Sequence, residues 1–389
     1  MTAQTTWKGP LAGLKVVELG QNLAGPYAAA IFGELGADVV KVEKKGGDDA
    51  RQWGPPFVEG KSITFHMINR NKKSVELSLD RPADREAFLN LIREADVFVH
   101  NLRPGVAEKL NIGGEEMLKL NPRLIYCEQS AFGHKGPMRL KPGYEPLLQA
   151  FAGLISINGD PNGPPSRIGP SVVDLGTGMW SVIGALTALI QRNQTGKGAI
   201  IRNSLFETAL SWAARHAGDY GATGKIPPRV GTGHNSLTPY QAFEAKDGPV
   251  VIAAGNDRLY AKLCQVLGHE EWITDPRFVT NADRTANRPV LVGMIGELIR
   301  EKTMAEWVEL LEAVGVPCAP IHSIPQVLEH EQTKAMGLVL DSPLEQLKLV
   351  ALPFSIDDWR PGFGTVAPDL GADQAQLAPG TLEQGRAAE

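Results

Sequence analysis

The stretch Leu14-Lys-Val-Val-Glu-Leu19, Gln21-Asn-Leu-Ala-Gly-Pro26, Tyr27 to Leu35 and Asp38-Val-Val-Lys-Val-Glu43 decides the fold. Its first six residues alternate and are β-prone, which predicts a strand. A turn follows, and Pro26 is well placed for the first turn of an Ala-rich helix over Tyr27 to Leu35. Gly36 ends that helix, and Asp38 to Glu43 reads as a second strand. Two strands joined by a helix are expected to be parallel, with a right-handed crossover.

The pattern extends in both length and kind. Arg81 to Ala95 is predicted as a helix, Asp96 to His100 as a buried strand, Val106 to Leu120 as a helix and Arg123 to Cys127 as a strand. Alternation over residues 11–130 predicts an α/β fold with an open, Rossmann-like parallel sheet. Tyr144 to Ile157, Gly176 to Arg192 and Leu205 to Tyr220 read as helices, with a short strand at Ala199 to Asn203. Gly221 to Pro239 is rich in Gly, Pro, Thr and Ser, the texture of a linker or mobile loop. Beyond it, Tyr240 to Ala254 reads as a hairpin turning at Asp247-Gly248, and helices are expected at about 257–268, 288–301 and 304–314. The expected organisation is a large domain over 1–220, a linker at 221–239 and a small α+β domain over 240–330. The tail after Asp357 is Pro-, Gly- and Ala-rich, and its end is expected to be mobile.

The 389 residues carry 39 basic and 44 acidic side chains, a formal charge of -5, which sets aside a general nucleic-acid binder. Cys127, Cys264 and Cys318 are far apart, so neither a disulfide framework nor a zinc knuckle is expected, and no metal site is read. The longest apolar run, Met179 to Ile190, is shorter than a bilayer span, and the opening MTAQTTWKGPLAG lacks the apolar core of a signal peptide. A cytoplasmic protein with no membrane partner is the expectation.

A nicotinamide site would place an acid such as Glu43 at the end of the second strand. Yet Gly20 to Pro26 is not GxGxxG, so that cofactor is not expected, and Glu43 reads equally as a solvated strand end. Basic residues cluster at Lys41, Lys44 and Lys45, at Arg70, Lys72 and Lys73, and at Arg103 and Lys109. They suit a phosphate-bearing ligand at the strand ends, or are simply solvated. Asp174 precedes a long helix. It reads as an N-cap, and a carboxylate kept ionised by the helix dipole is also a usable nucleophile. Gly231-Thr-Gly-His-Asn-Ser236 reads either as a loop closing over a site or as a plain linker.

Together these pieces resemble the class III CoA-transferases, which include formyl-CoA transferase, carnitine CoA-transferases and α-methylacyl-CoA racemases. The resemblance rests on Leu23-Ala-Gly-Pro26, Leu35 to Glu43, Asn69-Arg-Asn-Lys-Lys-Ser74, Asn101-Leu-Arg-Pro-Gly105, the Gly143-Tyr-Glu145 turn and Asp174 with its following glycines. Gly47 to Phe57 and Gly231 to Phe243 look like the succinyl-CoA:glutarate branch. The resemblance implies a catalytic aspartate at Asp174 and a CoA site at Leu23, Lys44, Leu77, Asn101, Leu102, Arg103, Lys109 and Tyr144. It also implies CoA thioesters as substrates with no tightly bound cofactor, and an interlocked homodimer whose large domain is completed by 340–389. Tyr144-Glu145 stands where a racemase would carry a histidine–aspartate pair, and the short loop at Gly231 argues against formyl or oxalyl substrates. Gly231 and Gly233 are candidate oxyanion donors. Arg51, Arg70 and His234 are candidates for the second carboxylate of a dicarboxylate, against the alternative of phosphate contacts or surface charges. A racemase and a non-catalytic acyl-CoA binder are the other readings.

Overall fold

The computed structural model describes residues 9–377. The readings of the first eight residues and of the end of the tail lie outside the described residues. The contact pattern divides the described residues into two units, the first comprising 9–154, 168–217 and 333–377.

The first unit holds six parallel strands: β1 (Lys15–Leu19), β2 (Asp38–Glu43), β3 (Lys72–Glu76), β4 (Val97–His100), β5 (Ile125–Ser130) and β6 (Ala199–Ser204). Their order is β3-β2-β1-β4-β5-β6, that of a doubly wound nucleotide-binding sheet. The helices used below are α1 (Ala24–Glu34), α2 (Ile63–Asn69), α3 (Pro82–Glu94), α4 (Val106–Lys109), α5 (Gly114–Leu120), α6 (Glu145–Phe151), α7 (Val172–Thr195) and α8 (Leu205–Trp212). One face of the sheet packs α1 and α7 through Val16, Ala28, Phe32, Val99, Cys127 and Ala185. The other packs α3 and α5 through Val17, Phe88, Ile92, Phe98, Met117 and Tyr126.

The helices read over Tyr144 to Ile157 and Leu205 to Tyr220 are each broken in two, at residues 152–153 and at Ala213. Three further differences from the sequence reading each have a local reason. β3 went unread as a strand because its sequence, Lys-Lys-Ser-Val-Glu, is polar; Lys72 is buried all the same, as an ion pair. The helix expected over Val106 to Leu120 is two, α4 and α5, separated at Asn111 with φ 52°. Helix α7 begins at Val172 rather than Gly176 and runs 24 residues. It is long and apolar enough to cross a membrane, with a mean hydropathy of 1.5, but half of it is buried inside the protein. One side of its apolar run, with Val182, Ala185 and Ala188, therefore belongs to the core.

The second unit comprises residues 155–167 and 218–332. An antiparallel sheet of β7 (Tyr240–Ala245), β8 (Gly248–Ala253) and β9 (Cys318–Pro320), in the order β9-β8-β7, packs helices Asp257–Leu267, Arg288–Ile299 and Met304–Ala313 around Val250, Ile252, Leu263, Leu291, Ile295 and Trp307. The hairpin turns at Lys246-Asp247, one residue before the place read from sequence. Residues 155–167 belong to this unit, not to the large domain in which the sequence reading placed them. The stretch read as a linker is anchored in it. Arg284, fully buried, donates to the carbonyls of Thr238, Phe278 and Gly255, and Arg288 donates to those of His234 and Asn235.

A buried charge network joins β1, β2 and β3, running from Glu18 near the carboxyl end of β1 through Lys41 in β2 to Lys72 at the start of β3. Glu18 is fully buried between Lys41 (2.8 Å) and Lys72 (2.9 Å), and Lys41 also reaches Asp48 at 2.9 Å. Burial works against every one of these charges. Even so, the two ammonium groups hold the Glu18 carboxyl below its ordinary range, and Glu18 and Asp48 hold the Lys41 ammonium above its own. Burial, with the like charge of Lys41, pushes Lys72 down to about 8. Replacing one member strands the others, which typically costs about 3–5 kcal/mol. Lys41→Met is expected to lower stability by that amount, read as an earlier urea midpoint with an unchanged slope. A loss below about 1 kcal/mol would mean that water solvates the carboxylates left behind.

Candidate active site

Strands β1 and β4 are neighbours at the point where the strand order reverses, and open α/β sheets bind ligands in the crevice outside such a pair. The loops leaving the two strands are clamped together. The Gln21 N–H donates to Asn101 Oδ1 at 2.9 Å, and Asn101 Nδ2 returns a bond to the Gln21 carbonyl at 2.8 Å. His100 fixes the next residue. Its Nδ1 accepts from the Leu102 N–H, while its Nε2 lies 2.6 Å from the Tyr126 hydroxyl. That hydroxyl in turn donates to the Ile112 carbonyl, so His100 Nε2 carries the proton. Burial pushes the ring down to about 3, which keeps it neutral.

Two cavities meet at this clamp. One, of about 360 Å³, lies outside β1 and β2 and is lined by Lys44, Lys45, Asp48, Leu77, Leu79 and Leu110 among others. The second, of about 370 Å³, lies outside β4 and β5 and includes Leu23, Trp53, Arg103, Tyr144, Glu145 and Asp174. Gln21 and Leu102 line both. The pair suits a long ligand with one anionic end, whose other end reaches a carboxyl.

Asp174 is the third residue of α7, not its cap; Ser171 holds the cap position and makes no side-chain cap bond. The glycines after Asp174 explain its position. A Cβ on Gly178 would lie 2.9 Å from the Ala24 carbonyl oxygen of α1, and one on Gly176 would lie 2.9 Å from Thr208 of α8. Only glycine lets the first turns of α7 come so close to its neighbours, and that approach sets Asp174 against the crevice. Glu145 stands beside it. Glu145 Oε1 accepts from the Val173 N–H at 3.3 Å and from Gln149 at 2.6 Å, and its Oε2 is buried without a partner. The helix dipole does not win here, contrary to the expectation of a carboxyl kept ionised. Burial, and then the negative field of Glu145, push Asp174 up to about 7. Such a carboxylate is poorly solvated, more basic than usual and correspondingly a better nucleophile.

The other candidates divide by location. Leu23, Asn101, Leu102, Arg103 and Tyr144 line the cavity of Asp174, and Lys44 and Leu77 line the other. Lys109, exposed on α4, lines neither. Of the basic clusters, Lys41 and Lys72 are interior ion pairs and offer no phosphate site, and Lys73, paired with Asp38 at 2.8 Å, lines neither cavity. Glu43 is buried, not a solvated strand end, and Arg51 grips it at 2.9 and 2.6 Å. Arg70 is paired with buried Glu34 at 2.6 Å and donates to the carbonyls of Met67 and Val350. Neither arginine is left with a free fork for a carboxylate, because both were already spent on the interior. The oxyanion reading of the glycines is corrected likewise. The Gly231 N–H donates to the Gly159 carbonyl and the Gly233 N–H to that of Val230, both within the second unit. His234 stacks on Tyr240, and its Nδ1 accepts from the Ser236 N–H. Sequence reasoning passed over Gln21, Asp48, Trp53 and Lys141 as site residues. Gln21 had a signal, since it stands just past the end of β1 at the switch point.

The profile of CoA-transferase family III matches residues 11–374. The chain is 40% identical over 337 residues to the acetyl-CoA:oxalate CoA-transferase of Acetobacter aceti, covering 86% of each. It is 38% identical over 345 residues to the succinyl-CoA:glutarate CoA-transferase of Mus musculus, covering 88% of this chain and 79% of that one. A crystal structure of a CAIB/BAIF family protein from Brucella suis matches with a TM-score of 0.85 at 37% identity, over 95% of this chain and 100% of that one. The sheet order, the paired cavities and the carboxyl at the head of α7 are thus those of a chain that belongs to CoA-transferase family III, enzymes that transfer coenzyme A.

Proposed function

We propose that this enzyme moves coenzyme A from an acyl-CoA, with succinyl-CoA as the leading donor, to a free dicarboxylic acid, with Asp174 as the nucleophile. The observation that carries the reading is a desolvated carboxyl at the head of α7, in a cavity that meets a second, lysine-lined cavity at Gln21 and Leu102. In this reading the nucleotide end of CoA lies against Lys44 and Lys45, the pantetheine arm crosses Leu102, and the thioester meets Asp174. The Asp174 carboxylate attacks the thioester carbonyl, giving a mixed anhydride and CoA thiolate. The thiolate attacks the aspartyl carbonyl, giving aspartyl-CoA and releasing the donor acid. The acceptor carboxylate attacks aspartyl-CoA to form a new anhydride and thiolate. Attack of that thiolate on the acyl carbonyl delivers the product and returns Asp174. Holding the partners in place supplies much of the rate.

The dicarboxylate reading draws on relatives named for oxalate and glutarate. The oxalate enzyme is 40% identical to this chain, so the short loop at Gly231 does not set oxalate aside as the sequence reading had it. With Arg51 and Arg70 engaged, Arg103 and Lys141 are the cations lining the Asp174 cavity, and they are the partners for the second carboxylate. Three unpaired cysteines suit a reducing, cytoplasmic setting. A homodimer fits the exposed apolar row Met179, Trp180, Ile183 and Ile190 on α7, with Ile190 63% exposed; interlocking of the two chains is the family expectation. Sedimentation of the purified protein is expected to give twice the chain mass, and a monomer at micromolar concentration would end the dimer reading.

Asp174→Ala is expected to abolish exchange of labelled succinate or glutarate into CoA thioester, by at least about 10³-fold, while free CoA still binds. Retained turnover would remove Asp174 from the mechanism. The pH dependence follows from the raised carboxyl. Only its ionised form attacks, so kcat/KM for acyl-CoA is expected to be flat above pH about 7 and to fall tenfold per unit below it. Glu145→Gln removes the like charge and is expected to move that inflection to lower pH. An inflection that stays in place would show that Glu145 does not act on Asp174.

A further inference from the structure

The loop between β2 and the β3 side of the sheet lines both cavities: Lys44, Lys45 and Asp48 face one, and Asp49 and Trp53 the other. It begins with two consecutive glycines in the left-handed region, Gly46 at φ 86° and Gly47 at φ 85°. Backbone of that kind has no preference of its own for the position it takes. Facing it, the loop after β1 carries Asn22 at φ 66°, a conformation that a residue with a Cβ holds only where its surroundings impose it.

One side chain joins the two loops. Asp48 is 2% exposed. Its Oδ1 accepts from the Asn22 N–H at 3.1 Å and from the Ala50 N–H at 2.9 Å, its Oδ2 lies 2.9 Å from Lys41 Nζ, and its own N–H donates to Glu43 Oε2 at 2.9 Å. The neighbouring Gln21 is in turn clamped to Asn101. A single carboxylate therefore sets the Lys44–Trp53 loop against the Gln21–Leu23 loop, and through it against the loop after β4.

We propose that Asp48 is a positioning residue for the acyl-CoA substrate, holding the walls of the two cavities at one spacing so that CoA binds across both. The proposal rests on the reading that CoA lies across these cavities. Asp48 touches no reacting atom in this role, so its effect falls on CoA affinity rather than on chemistry.

Asp48→Ala is expected to raise the Kd of free CoA and the KM of acyl-CoA about tenfold, the worth of one charge-assisted hydrogen bond. At saturating acyl-CoA, kcat and the KM of the acid are expected to stay within about twofold of wild type. Asp48→Asn keeps an amide oxygen for Asn22 and Ala50, and is expected to recover most of the affinity. A purely structural role would instead lower kcat, both affinities and the folded fraction in parallel, and that outcome, or a CoA Kd within about twofold of wild type in Asp48→Ala, overturns the proposal. Leu102→Asp separates this failure from that of the underlying reading, since Leu102 lines both cavities. If Leu102→Asp binds CoA normally, the cavity reading is wrong; if it loses CoA while Asp48→Ala keeps it, only the role of Asp48 is wrong. Should Asp48→Ala not fold, hydrogen exchange on the wild-type enzyme decides the matter. CoA is expected to protect amides 20–24 and 44–53 together, and protection of one segment alone overturns the coupling.

Discussion

The ion pair between Glu18 and Lys41, both fully buried at 2.8 Å, is the constraint on which the ligand-binding end of the sheet depends. Neither charge is tolerable there alone. Glu18 needs Lys72 as well, which draws in β3; Lys41 needs Asp48, which draws in the loop after β2. Glu43 continues the chain of partners to Arg51 and to the Ser74 hydroxyl. Three neighbouring strands and the loop after β2 are thus joined by side chains that cannot be separated without stranding a charge. The tail is held on the same side: Arg51 donates to the Pro368 carbonyl, and Asp373 accepts from the Ser74 N–H on the edge of the sheet.

The site uses the opposite arrangement. Where the network pairs each carboxylate with a cation, Asp174 receives only burial and a second carboxyl, and its ionisation is pushed up to about 7. A carboxyl raised in this way weakens the folded state as pH rises from the ordinary carboxylate range to about 7, since the unfolded chain ionises it more readily. That penalty is the counterpart of its reactivity. The surrounding α1–α7 packing at Gly178, and the clamp between Gln21 and Asn101, supply the rigidity that holds it in place.

The basic residues show how the two arrangements differ in what a sequence reveals. Lys44 and Lys72 are alike as letters, and both stand near strand ends. Lys44 is exposed, beside a cavity and paired with Asp49; Lys72 is interior, donating to Glu18, Pro26 and Asn69. Arg51 and Arg70 were singled out for planar carboxylate recognition; Arg51 performs it on Glu43 of its own chain, and Arg70 meets Glu34 through one nitrogen. The residue type predicted the chemistry of the contact and not its partner.

The sequence by itself determined the alternation of strands and helices, the places of β1, β2, β4 and β5, and the family motifs, including the aspartate at the head of the long helix. These are local: periodicity, turn residues and motif spacing are set by near neighbours along the chain. Tertiary structure alone decided that the polar Lys72–Glu76 stretch is the edge strand, that Asp174 lies inside the first turn with its carboxyl raised, and that Gly231 and Gly233 direct their N–H groups to carbonyls of their own unit. Each of these depends on which distant group fills the remaining space around a charge or a donor. Glu18 and Lys72 are paired across 54 residues, a separation over which no local pattern carries information.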